Sequence, residues 1–362
     1  MTDAIIIGGG VAGLTAAAAL APHRQVTLLE TEAAFGYHAS GRSAAQFLKG
    51  YGNETVRALN TASLPAHLAG DVLSPRPVLI LGGPGDEVAF KTECTEMSAS
   101  PITSRDATRL VPILNPAALA MAAYASDAFD IDTDQVMQQA ARTARAHGAT
   151  LKTTAPVTGI ARDGAHWTVT ADRTYHAGIV INAAGAWADR IAELAGLPHL
   201  GLVPYRRSMA RLPAPGDHDL RSWPMLLAAG EAWYAKPDAG AWIVSPGEAE
   251  ATHPHDAWAD DMVIAEGLAR YQEFVLPEVT RVLTTWAGLR TFAPDRTPVI
   301  GPDPRTTGFF WLAGQGGYGF QTAPAAAALL AARVTGSAPE LDADHVARLD
   351  PARILGQTSS GR

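Results

Sequence analysis

Hydrophobic positions change period several times along the chain, and each change marks an element. Residues 5–7 are three consecutive isoleucines, which suit a strand buried on both faces; the apolar run 14–20 suits a helix, and residues 26–29 a second buried strand beside the first. Asp132 and Thr133 offer caps for a helix over residues 134–147, ended by Gly148, with Val136, Ala140, Ala141 and Ala144 on its apolar side. Stretches 151–153, 157–161 and 167–171 alternate as short strands do, with Asp163-Gly164 as the tight turn between the last two. Residues 179–181 read as another buried strand, leading through Asn182-Ala183-Ala184-Gly185 into a helix that ends at Leu194. Between residues 201 and 286 proline, tryptophan and tyrosine become frequent. Strand-like pieces such as 242–245 there follow turns such as 237–240, the pattern of an antiparallel unit, with one helix over 262–274 and a strand from 281 toward 288. Residues 309–313 are strand-like, 314–319 form a glycine-rich loop, and an alanine-rich helix covers 323–334, opening near Thr322. The tail after Pro351 is expected to be loosely ordered.

These elements describe an α/β chain with two domains: a Rossmann-like, dinucleotide-binding domain and a second, mostly antiparallel β domain. A length of 362 residues is too great for one small core and agrees with that division. The formal charge of -8 is dispersed and not blocked, which argues against a nucleic-acid partner and for an ordinary soluble surface. Cys94 is the single cysteine, so the chain has no internal disulfide and no thiolate metal site. The first strand starts within a few residues of the N-terminus and no run is long enough to be a transmembrane segment, from which a cytoplasmic location is expected, with peripheral contact at the inner membrane face left open. No metal site is expected: His253, His255 and Asp256 lack a third ligand at sensible spacing.

Chemistry enters at the first turn. Gly8, Gly10 and Gly13 form G-x-G-x-x-G between the first strand and first helix, with Glu30 closing the second strand. Gly8 permits the tight turn, Gly10 lets backbone approach a pyrophosphate, Gly13 lets helix pack on strand, and the helix N-terminus offers amide donors. Glu30 lies where a carboxylate accepts bonds from adenosine ribose hydroxyls and repels a 2′-phosphate, leaving FAD or NAD. FAD needs more than one such unit, because its flavin ring must also be cradled. The stretch 36–45, small residues around the guanidinium of Arg42, precedes helix-like sequence and lets a flat ring lie against backbone. The 314–319 loop, before a helix, could face its amides and dipole to the flavin.

Five ordered motifs then carry a likeness. Gly8 to Gly13, Gly41-Arg42-Ser43-Ala44-Ala45, Asn182-Ala183-Ala184-Gly185-Ala186-Trp187, Trp286-Ala287-Gly288-Leu289-Arg290 and residues 314–321 together resemble the D-amino-acid oxidase superfamily of FAD-dependent oxidoreductases. The nearest branch by these motifs is that of the bacterial D-arginine dehydrogenases. The resemblance spans most of the chain. It implies non-covalent FAD, although His38 beside the Gly41-Arg42 stretch could in principle attach the flavin. It also implies oxidation of an amino acid to an imino acid by hydride transfer from Cα to the flavin, with later release of a 2-oxo acid and ammonia. The cofactor residues it implies are Gly8, Gly10, Val11, Ala12, Gly13, Glu30, Thr31, Gly41, Arg42, Ser43, Ala44, Ala45, Val157, Ala183, Ala184, Gly185, Trp187, Arg290, Gly316, Gly317, Tyr318, Gly319, Phe320 and Gln321. On the substrate side it implies Arg207 and Arg290 as carboxylate-gripping guanidiniums, Tyr51 and Tyr234 as pocket phenols, and Gly288 and Gln321 near the amine and flavin. The FAD-binding domain is expected to comprise residues 1–77, 130–200 and 286–362, and the substrate domain 78–129 and 201–285.

The resemblance also has gaps. The arginine-preferring relatives place a glutamate where this chain has Val78, and Gln46 and Leu48 replace a histidine and a threonine. With Met225 and Leu227 on the opposite wall, the expected substrates are neutral or hydrophobic D-amino acids, cyclic D-proline included. The electron acceptor is a quinone or oxygen. Two alternatives keep the flavin: oxidation of an N-alkyl glycine or a 2-hydroxy acid, and a flavoprotein without turnover.

Overall fold

The computed structural model describes residues 2–355. Its first layer is a six-stranded sheet in the order Val299–Pro302, Phe309–Ala313, Ile179–Asn182, Ala4–Ile7, Val26–Leu29, Thr150–Lys152, parallel apart from the antiparallel first pair. The isoleucine run is explained by burial on both faces. Ile6, Leu28, Ile181 and Leu312 face helices Val11–Leu20, Thr133–Ala146 and Gly319–Thr335. Ile5, Ile7, Val180 and Trp311 face the opposite way, into a core closed by Trp167, Val169 and Tyr175 of a three-stranded antiparallel sheet. That small sheet consists of Gly159–Asp163, His166–Thr170 and Thr174–Ala177.

The second layer is a nine-stranded sheet. Its path runs Glu250–Ala251, Val203–Leu212, Ala241–Ser245, Tyr234–Asp238, Met225–Ala228, Val78–Gly82, Met121–Ala125, Ser100–Ile102, with Thr284–Phe292 paired to Val203–Leu212. All pairs are antiparallel except Met225–Ala228 with Val78–Gly82. Because side chains alternate faces along a strand, this sheet sorts its residues into two groups. Leu79, Leu81, Ala210, Leu226, Ala235, Trp242 and Val244 pack into a core with helix Asp261–Glu273. Their neighbours Val78, Ile80, Met209, Met225, Leu227, Tyr234 and Ile243 face the other way, toward the first layer.

Several expectations need correction. Residues 46–48 are not helix-like: Gln46–Leu48 is a strand pairing with Ala128–Ile131, and the helix begins only at Glu54. The last long helix starts at Gly319, earlier than Thr322, because Pro324 inside it looks like a first-turn residue and glycine has low helix propensity. The hairpin turn is Gly164-Ala165, since Asp163 pairs with His166 and only Gly164 carries a left-handed φ, of 57°. The strand at Thr174–Ala177 went unread because it offers just two buried positions. The expected domain boundary at residue 286 falls inside strand Thr284–Phe292, so residues 286–292 lie in the nine-stranded sheet. Residues Ala352–Leu355 are helical with Ile354 buried, unlike the loose tail expected there; the remainder of that expectation, on residues 356–362, lies outside the described residues.

Candidate active site

A cavity of about 910 Å³ lies between the two layers, at the upper end of ligand-pocket sizes. It is bounded on one side by the carboxyl ends of the parallel strands, where open α/β sheets bind ligands. Of the residues anticipated from sequence, Gly8, Gly10, Val11, Ala12, Glu30, Thr31, Arg42, Ser43, Ala44, Ala45, Val157, Ala183, Ala184, Gly185, Trp187, Gly316, Gly317, Gly319 and Phe320 line it. So do Tyr51, Arg207, Tyr234, Gly288, Arg290 and Gln321.

Three anticipated residues do not reach the cavity but shape its walls. A Cβ on Gly13 would stand 1.9 Å from the Gly8 carbonyl oxygen, so its absence lets helix Val11–Leu20 sit on the first strand. Gly41 likewise admits the Gly36 carbonyl, 2.5 Å from where its Cβ would be. Tyr318 points away, its hydroxyl donating to the Arg296 carbonyl, and its ring packs edge-on against Tyr51.

The dinucleotide expected from sequence fits the first-layer side on observations independent of the motif. Gly10 would carry a Cβ that meets nothing but Ser40 Oγ, at 3.1 Å, so protein packing does not demand a glycine there. Helices Val11–Leu20 and Gly319–Thr335 both start at this cavity, and neither cap residue supplies a side-chain bond to its first turn. Two positive helix ends aimed at one space suit anionic and carbonyl groups. The buried Gln315 Nε2, Thr291 Oγ1 and Gln46 Oε1, on cavity-lining residues, have no hydrogen-bond partner among the described residues. Glu30 is held at the end of its strand by the Gly9 N–H at 2.6 Å and the Glu32 N–H at 2.8 Å. His38 sits between carboxylates, with Nε2 2.9 Å from Glu32 and Nδ1 3.8 Å from Asp256, and packs on Trp187.

The guanidinium of Arg42 bonds protein: Asp256 at 2.5 Å and the carbonyls of Ala257 and Ala287 at 2.8 and 3.1 Å. Lys236 ties the neighbouring segment to the second layer, donating to the Ala44 carbonyl at 2.7 Å and to Asp130 at 2.5 Å. Gln321, at the cavity wall, has its side-chain amide engaged by protein. Its amide oxygen accepts from the Leu48 N–H at 3.1 Å and its NH2 donates to Asn60 at 2.9 Å, so it positions Leu48.

The second-layer side is built by strand register. Arg207 stands opposite Gly288 and Tyr205 opposite Arg290, so Arg207 and Arg290 project from one face as diagonal neighbours, with Gly288 on that face too. Arg207 is only 8% exposed; its Nε donates to the Glu248 carbonyl at 2.7 Å, its guanidinium lies 5.8 Å from the Tyr234 ring centroid, and its Nη1 has no hydrogen-bond partner among the described residues. Tyr234 donates to Met209 Sδ at 3.4 Å. Burial would lower the Arg290 guanidinium, but the Tyr51 and Tyr234 phenols and Glu231 overcome it and hold the group above its ordinary value. Burial pushes the Tyr51 phenol up, against the opposing pull of Arg290 and Arg207. Leu48, Val78, Met97, Met209, Met225 and Leu227 supply an apolar wall.

Glu231 was missed in the sequence. It lies 3.5 Å from Arg207 and 4.0 Å from Arg290, in a loop whose composition carries no motif. Buried Glu93 holds that loop, its Oε1 accepting the N–H groups of Gly230 and Glu231 at 2.9 and 3.2 Å. Burial pushes Glu93 up to about 7, although those N–H bonds pull the other way. The folded chain therefore keeps a proton that the unfolded chain releases above the ordinary value of 4.5. Its contribution to stability is full below that value and is lost as pH rises through about 7. The melting temperature of the wild type, relative to Glu93→Gln, is expected to fall by about 2–3 °C between about pH 4.5 and about pH 7.5. Parallel melts of the two proteins across that range check it; a constant difference would place Glu93 at an ordinary pKa.

Residues 3–333 match the family model DAO, described as FAD dependent oxidoreductase. Among curated proteins, an uncharacterized oxidoreductase, YurR, of Bacillus subtilis is 30% identical over 51% of this chain and 48% of its own length. Human mitochondrial dimethylglycine dehydrogenase is 25% identical over 97% of this chain and 44% of its own. The matches thus span less than half the length of these two relatives. The solved structure of L-proline dehydrogenase from P. horikoshii has the same fold, with a TM-score of 0.84 at 22% identity over 98% of each chain. These likenesses identify a family and do not single out its D-arginine dehydrogenases.

Proposed function

The chain belongs to the DAO family of FAD-dependent oxidoreductases, and from that premise we propose that it oxidises D-amino acids with neutral or hydrophobic side chains. The imino acid formed is hydrolysed after release to a 2-oxo acid and ammonia. The observation that carries this reading is the pair of guanidiniums on one sheet face, one of them nine-tenths buried with an unpartnered Nη1. A carboxylate is the ligand that satisfies such a pair, through parallel charge-assisted bonds.

FAD, when bound, supplies the two-electron acceptor for a hydride leaving the substrate Cα. The chain's own residues do the positioning, which can account for a large share of such a rate. Arg207 and Arg290 grip the carboxylate and Tyr51 and Tyr234 offer phenols beside it. Gly288 shares their sheet face; a Cβ there would meet Arg42 Cβ at 3.5 Å and Ala39 Cα at 3.7 Å, ordinary contact distances, so protein packing alone does not demand a glycine. Gln321 acts through Leu48 and is a positioning residue. The anticipated first-layer residues hold FAD non-covalently, with Glu30 at the adenosine ribose and the amides of the two helix starts at anionic groups. We also extend the substrate-binding unit to residues 78–129 and 201–292, so that it includes all of strand Thr284–Phe292. No helix among the described residues is long and apolar enough to cross a membrane.

The apolar wall supports the choice of side chain. A distal guanidinium placed against Val78, which is fully buried, would meet no carboxylate there. Anaerobic bleaching of the flavin by D- and L-leucine, D-methionine, D-arginine, D-proline, N-methylglycine and the 2-hydroxy acids D- and L-lactate is the test. Reduction by D-leucine and D-methionine at least about tenfold faster than by D-arginine, with ammonia released, is expected. Fastest reduction by D-arginine would overturn the pocket argument, and reduction by 2-hydroxy acids alone would overturn the amine class. A second reading, oxidation of N-alkyl amino acids, is favoured by the match to dimethylglycine dehydrogenase along 97% of the chain. Fast reduction by N-methylglycine without free ammonia would select it.

A further inference from the structure

We propose that Glu231 restricts the guanidinium clamp to ligands carrying one carboxylate, by holding a negative charge where a second carboxylate would have to bind. The inference rests on the reading that Arg207 and Arg290 grip a substrate carboxylate, and it adds a rule of selection to that site.

The charges decide it. Arg207 and Arg290 bring two positive charges to the cavity wall, and Glu231 contacts both, with Oε2 at 3.5 and 4.0 Å. These three side chains keep a surplus of one positive charge on the cavity wall, and one carboxylate neutralises it; the buried Glu248 carboxylate, also in the field of Arg207, is not among the lining residues. A dicarboxylate must place its second anion either against Glu231, where like charges oppose each other in a site of reduced dielectric, or along Leu48, Val78, Met225 and Leu227, which leave it desolvated and unpaired.

The backbone shows that this carboxylate is held in place. Gly230 and Glu231 both take left-handed φ values, 71° and 52°. Glycine adopts that conformation freely, whereas a glutamate does so at a cost that persists only where surrounding structure dictates it. Two contacts dictate it here. Glu93 accepts both loop N–H groups, and Gly247 lets the chain pass the Glu231 carbonyl, which would lie 1.9 Å from a Cβ at that position.

The experiment titrates flavin-loaded wild type and Glu231→Gln with propionate and malonate, reading the perturbation of flavin absorbance, which needs no turnover. Glutamine keeps the size and the accepting oxygen but removes the charge. The wild type is expected to bind propionate more tightly than malonate, and the substitution to shift the ratio toward malonate by at least about tenfold. A ratio unchanged by the substitution would overturn the proposal while leaving the clamp intact. Binding of neither anion by wild type would instead overturn the clamp reading, and this proposal with it. Should Glu231→Gln fail to hold flavin, wild type titrated with D-aspartate, D-glutamate, D-asparagine and D-glutamine decides. Each amide is expected to bind at least about tenfold better than its acid, and equal binding would overturn the proposal.

Discussion

Arg290→Met is expected to lower kcat/KM for the best D-amino acid by about a hundred- to a thousandfold, the cost of removing one partner from a buried charge pair. The position offers no substitute. Among the described residues Arg290 has no ion-pair partner nearer than Glu231, at 4.0 Å, and it lines the cavity. Arg207→Met should cost less, because Arg207 Nε is already committed to the Glu248 carbonyl and fewer of its donors remain for a ligand. In the proposed clamp the two guanidiniums act on one group, so the double variant should lose less than the product of the single losses. Stopped-flow flavin reduction over a range of substrate concentrations separates the effects. Weaker saturation marks lost grip, and a lower limiting rate marks a misplaced Cα. An unchanged kcat/KM in Arg290→Met, in protein with normal flavin content, would remove that residue from the clamp.

A second pair of substitutions separates folding from cofactor binding within one turn. Gly13→Ala pushes a methyl group to within 1.9 Å of the Gly8 carbonyl, a backbone atom that cannot rotate away. Overpacking of this kind costs about 1–3 kcal/mol or more, and helix Val11–Leu20 would have to leave the sheet that it covers. The expected result is a fall in melting temperature of the flavin-free protein, with little flavin retained. Gly10→Ala meets only Ser40 Oγ, at 3.1 Å, a side-chain atom that has to give by a few tenths of an ångström while it accepts the Val11 N–H at 3.0 Å. The flavin-free protein should therefore melt near the wild-type temperature, while FAD affinity falls at least about tenfold because the new methyl occupies the approach to the pyrophosphate. Equal melting and equal flavin retention in both variants would mean that the two glycines share one role.

The contrast between these glycines shows how much of the site was legible. Both belong to one motif, and the motif alone distinguished their roles, because strand, turn and helix are continuous in sequence over thirty residues. The same holds for the isoleucine run and for Glu30 at the end of the second strand. Arg207 and Arg290 were singled out only by a family likeness; nothing in composition or period separates them from the other basic residues. Gln321 was assigned to the right wall, but its bonds to Leu48 and Asn60 are contacts between segments far apart in the chain.

What the sequence by itself determined is therefore local: a buried parallel strand, a turn that admits a dinucleotide, the alternation of the antiparallel unit and the α/β class. These follow from side-chain period and backbone freedom, which act between near neighbours. Tertiary structure alone decided three things: that residues 207 and 290 share a sheet face through the register of two strands, that Val78 and Met225 pair in parallel to form one wall, and that Glu231 enters the clamp. Each depends on which strands lie side by side and in what register. A one-residue shift would turn Arg290 away from the cavity, and no pattern within a single strand records that choice.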